Sequence, residues 1–373
     1  MTNKQRDQHM HEERRERLRH LMVEHGVDAC LATPSSDMFY LAGIAAHASE
    51  RPTVLAVLAS SESTLVVPQL ETSGLPNLGA TRVIAYGETG DPAGTLADVV
   101  REKNDRPLVA ISDTAYASHL LRLQLALPTA AFQPMTPLLR LLRMRKTGQE
   151  IRVLREAGNR IDRAFQALLE ESFAERTEVE IGERLRKRVR DEGLSDAAWG
   201  PIVASGPNSA SPHHEAADRR IADGDAILLD FGGQLEGYQA DITRTIHVGE
   251  PSEKFRHVYG VVREAQEAGV NAARVGAEAQ AVDAATRDMI AAAGFADFFI
   301  HRTGHGIGLD VHEEPYIVAG NSTRIDPGMA FSVEPGVYLP REFGVRIEDI
   351  VVMDGTGGAI RCTEARRDLV IVG

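Results

Sequence analysis

Four acidic residues in the second half of this 373-residue chain stand where charge is costly. The apolar run Ile227–Leu229 ends in Asp230, and Asp241 follows on what reads as the returning strand of a hairpin over Ala226–Val248. Glu334 in MAFSVEPGVYLP (329–340) and Glu348 in FGVRIEDIVVM (343–353) each sit inside an apolar strand pattern. A buried carboxylate needs a partner, so any fold of this chain must either bring these segments together around positive charge or pair each acid separately.

The hairpin sharpens that choice. Gly232, Gly233 and Gly237 mark a turn, and centring it between Leu235 and Glu236 sets Asp230 opposite Asp241 on one face. Two bare carboxylates about 4 Å apart repel by roughly 4 kcal/mol at an effective dielectric near 20. A shared proton or a cation must compensate, unless the pair simply faces solvent at a loop end. For Glu348 the alternative is an ordinary core salt bridge, with Arg346 as its partner.

The segment 300–316, IHRTGHGIGLDVHEEPY, adds His301, His305 and His312 within twelve positions. Glycines 304, 306 and 308 surround His305, permitting close backbone approach and leaving the imidazole room to reach an ion. They are not a dinucleotide fingerprint, because the spacing is wrong and no strand-to-helix unit frames them. Four carboxylates and one imidazole balance two divalent cations in charge. Oxygen-rich ligation with one nitrogen favours Mn²⁺, with Co²⁺, Fe²⁺ or Zn²⁺ also fitting. Two such ions about 3.5–4 Å apart activate a bridging water and clamp an oxyanion, which is hydrolytic chemistry.

Ahead of these motifs the pattern differs. Val27–Leu31, Thr53–Leu58, Ser63–Val67, Arg82–Tyr86 and Leu108–Ile111 read as strands, alternating with helical spacing at Pro92–Arg101 and Ala115–Leu125. That alternation predicts an α/β domain, preceded by a helix with Leu18, Leu21 and Met22 on one face. Thr147/Glu150 and Thr177/Glu180 form capping boxes opening two further helices. The domain division falls near 140, giving domains 1–140 and 141–373. Later segments read as a strand (Ile202–Ser205), two helices (Ser252–Val275, Glu278–Ala293) and strands at Ala330–Val333, Val345–Met353 and Leu369–Val372.

Acidic residues exceed basic ones by 54 to 41, a formal charge of −13, which argues against a nucleic-acid partner. The charged N-terminus lacks the apolar core of a signal peptide, no apolar run reaches membrane-spanning length, and two cysteines, Cys30 and Cys362, fit a reducing compartment. The expectation is a cytoplasmic protein with no membrane partner.

At these residues the sequence closely resembles the pita-bread metallopeptidases, the superfamily of methionine aminopeptidase, aminopeptidase P, prolidase and creatinase. The resemblance covers nearly the whole chain and implies an α/β (α+β) protein: a creatinase-type N-terminal α/β domain plus a C-terminal pita-bread catalytic domain. It implies that Asp230 binds one metal, that Asp241 and Glu348 bridge both, and that His305 and Glu334 hold the other. His213, seventeen residues before Asp230, and His312 match substrate-contacting histidines of the proline-specific branch, with His312 stabilising the transition state; His301 and Arg346 match that branch as well. Tyr338 is a further candidate for the proline pocket, and Glu334 for a proton shuttle. Trp199 reads equally as a cleft aromatic or a core residue.

The implied activity is hydrolysis of the Xaa-Pro bond by a metal-bridging hydroxide, favoured as an Xaa-Pro dipeptidase; the alternative is an Xaa-Pro aminopeptidase on longer peptides, and a remote one a metal-free binding module. A dipeptidase needs a cation for the substrate's free carboxylate. Arg324 is a candidate, though an exposed loop arginine is the simpler reading. The resemblance also implies a homodimer.

Overall fold

The computed structural model describes residues 3–60, 62–101, 104–197, 199–355 and 357–373. The chain divides into two compact units, Met1–Arg143 and Met144–Gly373.

In the first unit the elements are α1 (Asn3–His25), β1 (Ala29–Ala32), α2 (Ser36–Ala42), β2 (Val54–Leu58), β3 (Thr64–Pro68), β4 (Arg82–Tyr86), α3 (Pro92–Arg101), β5 (Leu108–Ile111), α4 (Ala117–Ala126), β6 (Ala131–Pro134) and α5 (Thr136–Arg143). The strands make one mixed sheet in the order β4-β3-β2-β1-β5-β6. Leu31, Val54, Ala56, Val66 and Val109 pack with Leu96 and Val100 of α3 and Leu123 of α4. Strand β6 was not apparent in the sequence because prolines punctuate that stretch; it lies at the sheet edge, where Pro134 costs no ladder hydrogen bond on its outer side.

The second unit opens with α6 (Gly148–Leu169) and α7 (Glu178–Asp191), each started by the expected capping box. It continues with β7 (Ser195–Asp196), β8 (Ile202–Ser205), β9 (Ala226–Leu235), β10 (Tyr238–Val248), α8 (Glu253–Ala272), α9 (Ala279–Ala292), β11 (Gly304–Gly306), β12 (Glu313–Ile317), β13 (Ala330–Val333), β14 (Gly336–Leu339), β15 (Phe343–Arg346), β16 (Asp349–Met353), β17 (Ala359–Arg361) and β18 (Val370–Val372). One sheet runs β18-β10-β9-β7 with β8 also on β9, a second runs β12-β11-β13-β16-β17, and β14 pairs with β15. Ile161, Phe165, Leu168, Ile181 and Leu185 of α6 and α7 bury one face of the β9–β10 hairpin. Val270 and Val282 of α8 and α9 bury Phe331, Val333 and Val351 of the second sheet. Among the described residues no helix is long and apolar enough to cross a membrane.

Two expectations change. The hairpin turn centres on Glu236–Gly237, with φ of 50° and 88°, rather than one residue earlier. A type I′ two-residue hairpin loop needs positive φ at both positions, and the glycine supplies one without strain. Asp230 therefore faces Thr243, and Asp241 faces Gly232. The two aspartates stay on one face as diagonal neighbours rather than direct partners.

The second change concerns the glutamates. Val345–Met353 is not one strand: β15 and β16 belong to different sheets, and Glu348 lies between them. Its N–H donates to the Thr243 carbonyl at 3.1 Å, so the chain crosses to β10 at that residue. Glu334 likewise lies just past β13, its N–H bonded to the Thr303 carbonyl at 2.8 Å. Both acids sit where a strand ends and turns toward the hairpin.

Candidate metal centre

Strand β10 is buried along its whole length, and Asp241 and Thr243 point to the same side of it. Thr243 Oγ1 donates to Glu348 Oε2 at 2.6 Å, fixing that carboxylate beside the hairpin. His305 arrives from β11. Its Nδ1 lies 3.1 Å from the Gly306 carbonyl, which can only accept, so Nδ1 carries the proton and the Nε2 lone pair is left free. That Nε2 lies 3.9 Å from Asp241 Oδ2 and 3.3 Å from Glu334 Oε1. Ser332 Oγ accepts from the His305 N–H at 3.0 Å and donates to Glu334 Oε1 at 3.0 Å, holding the two groups in register. The glycine before His305 is required here: a Cβ on Gly304 would lie 1.9 Å from the Ser332 carbonyl oxygen.

Asp241, His305 and Glu348 offer ligand atoms that all lie within 4.8 Å of one another, and all three are buried. Asp241 Oδ1 and Glu348 Oε1 are buried with no hydrogen-bond partner among the described residues. Orphaned carboxylate oxygens at this depth cost several kcal/mol unless a cation or proton meets them. Burial, and then the charges of Glu348, Asp230 and Glu334, push the Asp241 carboxyl far above its usual range. Burial followed by Glu334 and Asp230 does the same to Glu348. Glu334 is raised to about 7, by burial and Asp230 against the pull of Arg346. Burial and the neighbouring His312 push His305 down to about 3, which keeps it neutral and able to ligate. The donor set and its unmet oxygens fit divalent cations.

Asp230 is tied differently. Its Oδ2 accepts from the Arg346 guanidinium at 2.5 Å, which leaves Oδ1 for other bonding. Arg346 also donates to Tyr338 Oη at 2.7 Å and to Thr243 Oγ1 at 3.2 Å. Burial opposes its charge, yet Tyr338, Asp230 and Glu334 hold its pKa well above the ordinary value. So the arginine serves Asp230, not Glu348.

These groups open on a cleft of about 1080 Å³ whose walls include His213, His301, His312 and Trp199. Trp199 is thus a cleft residue rather than a core one. His312 stands edge-on to His305 with ring centroids 4.2 Å apart. His301 is pushed down to about 4, by burial and then Arg346, and its Nε2 lies 2.8 Å from Tyr338 Oη. Tyr338 differs from expectation. It is 3% exposed and is not among the described residues that line the cleft, because its hydroxyl is turned back to His301 and Arg346. Its hydroxyl orients those two side chains. Arg324 is exposed, bonded to the Gly276 carbonyl at 3.0 Å, and away from the cleft walls.

Sequence reasoning passed over Thr243, Ser332, Glu178 and Arg302. Thr243 was findable, since it follows Asp241 by two on one strand face. Glu178 was not. It is fully buried and accepts from Ser205, Asn208, His214 and Ala217, pinning the loop that carries His213.

Residues 152–354 match the model of metallopeptidase family M24, and 14–145 match the creatinase/prolidase N-terminal domain. The chain is 41% identical to "Probable dipeptidase PepE" of Mycobacterium tuberculosis, over 93% of this chain and 92% of that one. It is 33% identical to the "Xaa-Pro dipeptidase" of Pyrococcus furiosus, over 96% and 99%. Among solved structures, the prolidase of Thermococcus sibiricus superposes with a TM-score of 0.93 at 35% identity, covering 97% of this chain and 99% of that one.

Proposed function

Because the chain belongs to metallopeptidase family M24 and carries a creatinase/prolidase-type N-terminal domain, we propose that it is an Xaa-Pro dipeptidase with two divalent ions, manganese first, held by Asp230, Asp241, His305, Glu334 and Glu348. The observation that carries the metal dependence is the pair of orphaned oxygens, Asp241 Oδ1 and Glu348 Oε1, converging with His305 Nε2 in a buried cluster. The proline specificity is supported by His213, His301 and His312 around one cleft, and by relatives that bear the names prolidase and Xaa-Pro dipeptidase.

Divalent ions at this cluster supply Lewis acidity toward a carbonyl and a water. The chain's own groups do the rest. His312 donates a hydrogen bond to the oxyanion that develops on the scissile carbonyl. Glu334 accepts the proton given up by the attacking water and passes it to the proline nitrogen as the C–N bond breaks. That nitrogen belongs to a tertiary amide with no N–H in the substrate, so His213 and His301 recognise the ring by shape. Arg346 and Thr243 keep Asp230 and Glu348 from rotating away.

The same reading takes the protein as a cytosolic homodimer; both cysteines are buried and unpaired, as a reducing compartment allows, and a monomer in sedimentation velocity would remove the dimer. The test of the activity compares Ala-Pro with Ala-Pro-Ala-Ala in Mn²⁺. The dipeptide is expected to be cleaved faster by at least tenfold. Comparable or better turnover of the tetrapeptide would transfer the chain to the aminopeptidases, a reading that the size of the cleft also accommodates.

A further inference from the structure

A dipeptide differs from the start of a longer peptide by one charge, the carboxylate that follows proline. The dipeptidase reading, on which this inference rests, therefore requires a cation in the cleft that is not already committed. Arg346 is committed to Asp230. Two other arginines line the walls, Arg186 and Arg302, and neither has an ion-pair partner among the described residues. They differ in how they are held. Arg186 is exposed on α7. Arg302 is half-buried, its guanidinium lies 4.4 Å over the Tyr316 ring, and its own carbonyl accepts from His301, whose other nitrogen is fixed by Tyr338. Stacking on an aromatic face orients the planar fork and leaves its N–H edges free for a carboxylate.

We propose that Arg302 receives the free C-terminal carboxylate of the substrate and so makes this cleft selective for dipeptides. The guanidinium makes no ion pair among the described residues, and the incoming carboxylate pairs with it in a partly dry site, where a bidentate pair is strongest. Arg302 thus takes the role that Arg324, exposed and remote from the cleft walls, does not fill.

The test measures Ala-Pro and Ala-Pro amide with the Mn²⁺-loaded wild type, Arg302→Gln, Arg302→Lys and Arg186→Gln. Arg302→Gln is expected to raise KM for Ala-Pro by about ten- to a hundredfold and to leave the amide unchanged. Arg302→Lys should fall between, since it keeps charge and loses the fork; it decides the matter if the glutamine variant does not fold. Arg186→Gln should change neither substrate. Equal losses on both substrates, no loss on Ala-Pro, or a selective loss in Arg186→Gln would overturn the assignment. If the wild type cleaves neither compound, the dipeptidase reading fails separately. Calorimetry then decides the carboxylate site: tighter binding of Ala-Pro than of its amide, erased by Arg302→Gln, supports it, and equal binding overturns it.

Discussion

At the residue scale, Asp241 concentrates the most chemistry, being buried, without a partner for Oδ1 among the described residues, and bordered by Glu348 and His305. Asp241→Ala is expected to abolish turnover and to reduce bound Mn²⁺ from two equivalents to one or none in calorimetric titration; near-normal activity would break the dinuclear account. Thr243 acts through others, donating to Glu348 and accepting from Arg346. Thr243→Val should weaken metal binding by about ten- to a hundredfold while the protein still folds, read as a shift in the Mn²⁺ concentration giving half-maximal activity. The ligand types were legible in the sequence because a carboxylate in an apolar run is conspicuous. The residues that hold them in place were less so: Thr243 could be read as the strand position two past Asp241, but Ser332 looks like any other polar strand residue until its neighbour across the sheet is known.

At the element scale, the crossover between β15 and β16 delivers Glu348 to the hairpin. Asp349, fully buried beside it, is met by Arg244 at 2.6 Å and by Arg361 and Arg367 at 3.3 Å. Arg244 also donates to the Glu348 carbonyl at 2.5 Å, so this cluster braces the crossover from behind. Asp349→Ala would strand buried arginine charge and is expected to cost about 3–5 kcal/mol, seen in urea unfolding. Gly304→Ala forces a methyl against the Ser332 backbone; a loss of about 1–3 kcal/mol should lower Tm by roughly 2–12 °C, with metal affinity falling too because His305 is displaced. The capping boxes and most strands of the first unit followed from local pattern. The hairpin register was off by one because turn chemistry decides it, and the break at Ile347–Glu348 was hidden because both flanking strands are apolar and run on without a turn residue.

For the whole molecule, pH and metal are linked. Without ions, the folded chain holds protons on Asp241, Glu334 and Glu348 more tightly than the unfolded chain, so their contribution to stability falls as pH rises above about 4.5. His301 and His305, pushed down to about 4 and about 3, hold protons less tightly when folded, and their contribution rises up to about pH 6.5. The two trends oppose each other below that point. Above it the two histidines are neutral in both states, and only the carboxylate trend remains, which for Glu334 runs through about 7. Chelated protein should therefore lose Tm between about pH 6.5 and pH 8.5, and Mn²⁺ should remove the slope; a flat profile without metal would mean that the acids are satisfied some other way. The most direct measurement of the central claim is turnover of Ala-Pro by chelated protein titrated with Mn²⁺. The account predicts no cleavage at the start and saturation at two equivalents per chain. Cleavage that ignores metal, or none at any metal concentration, would contradict it.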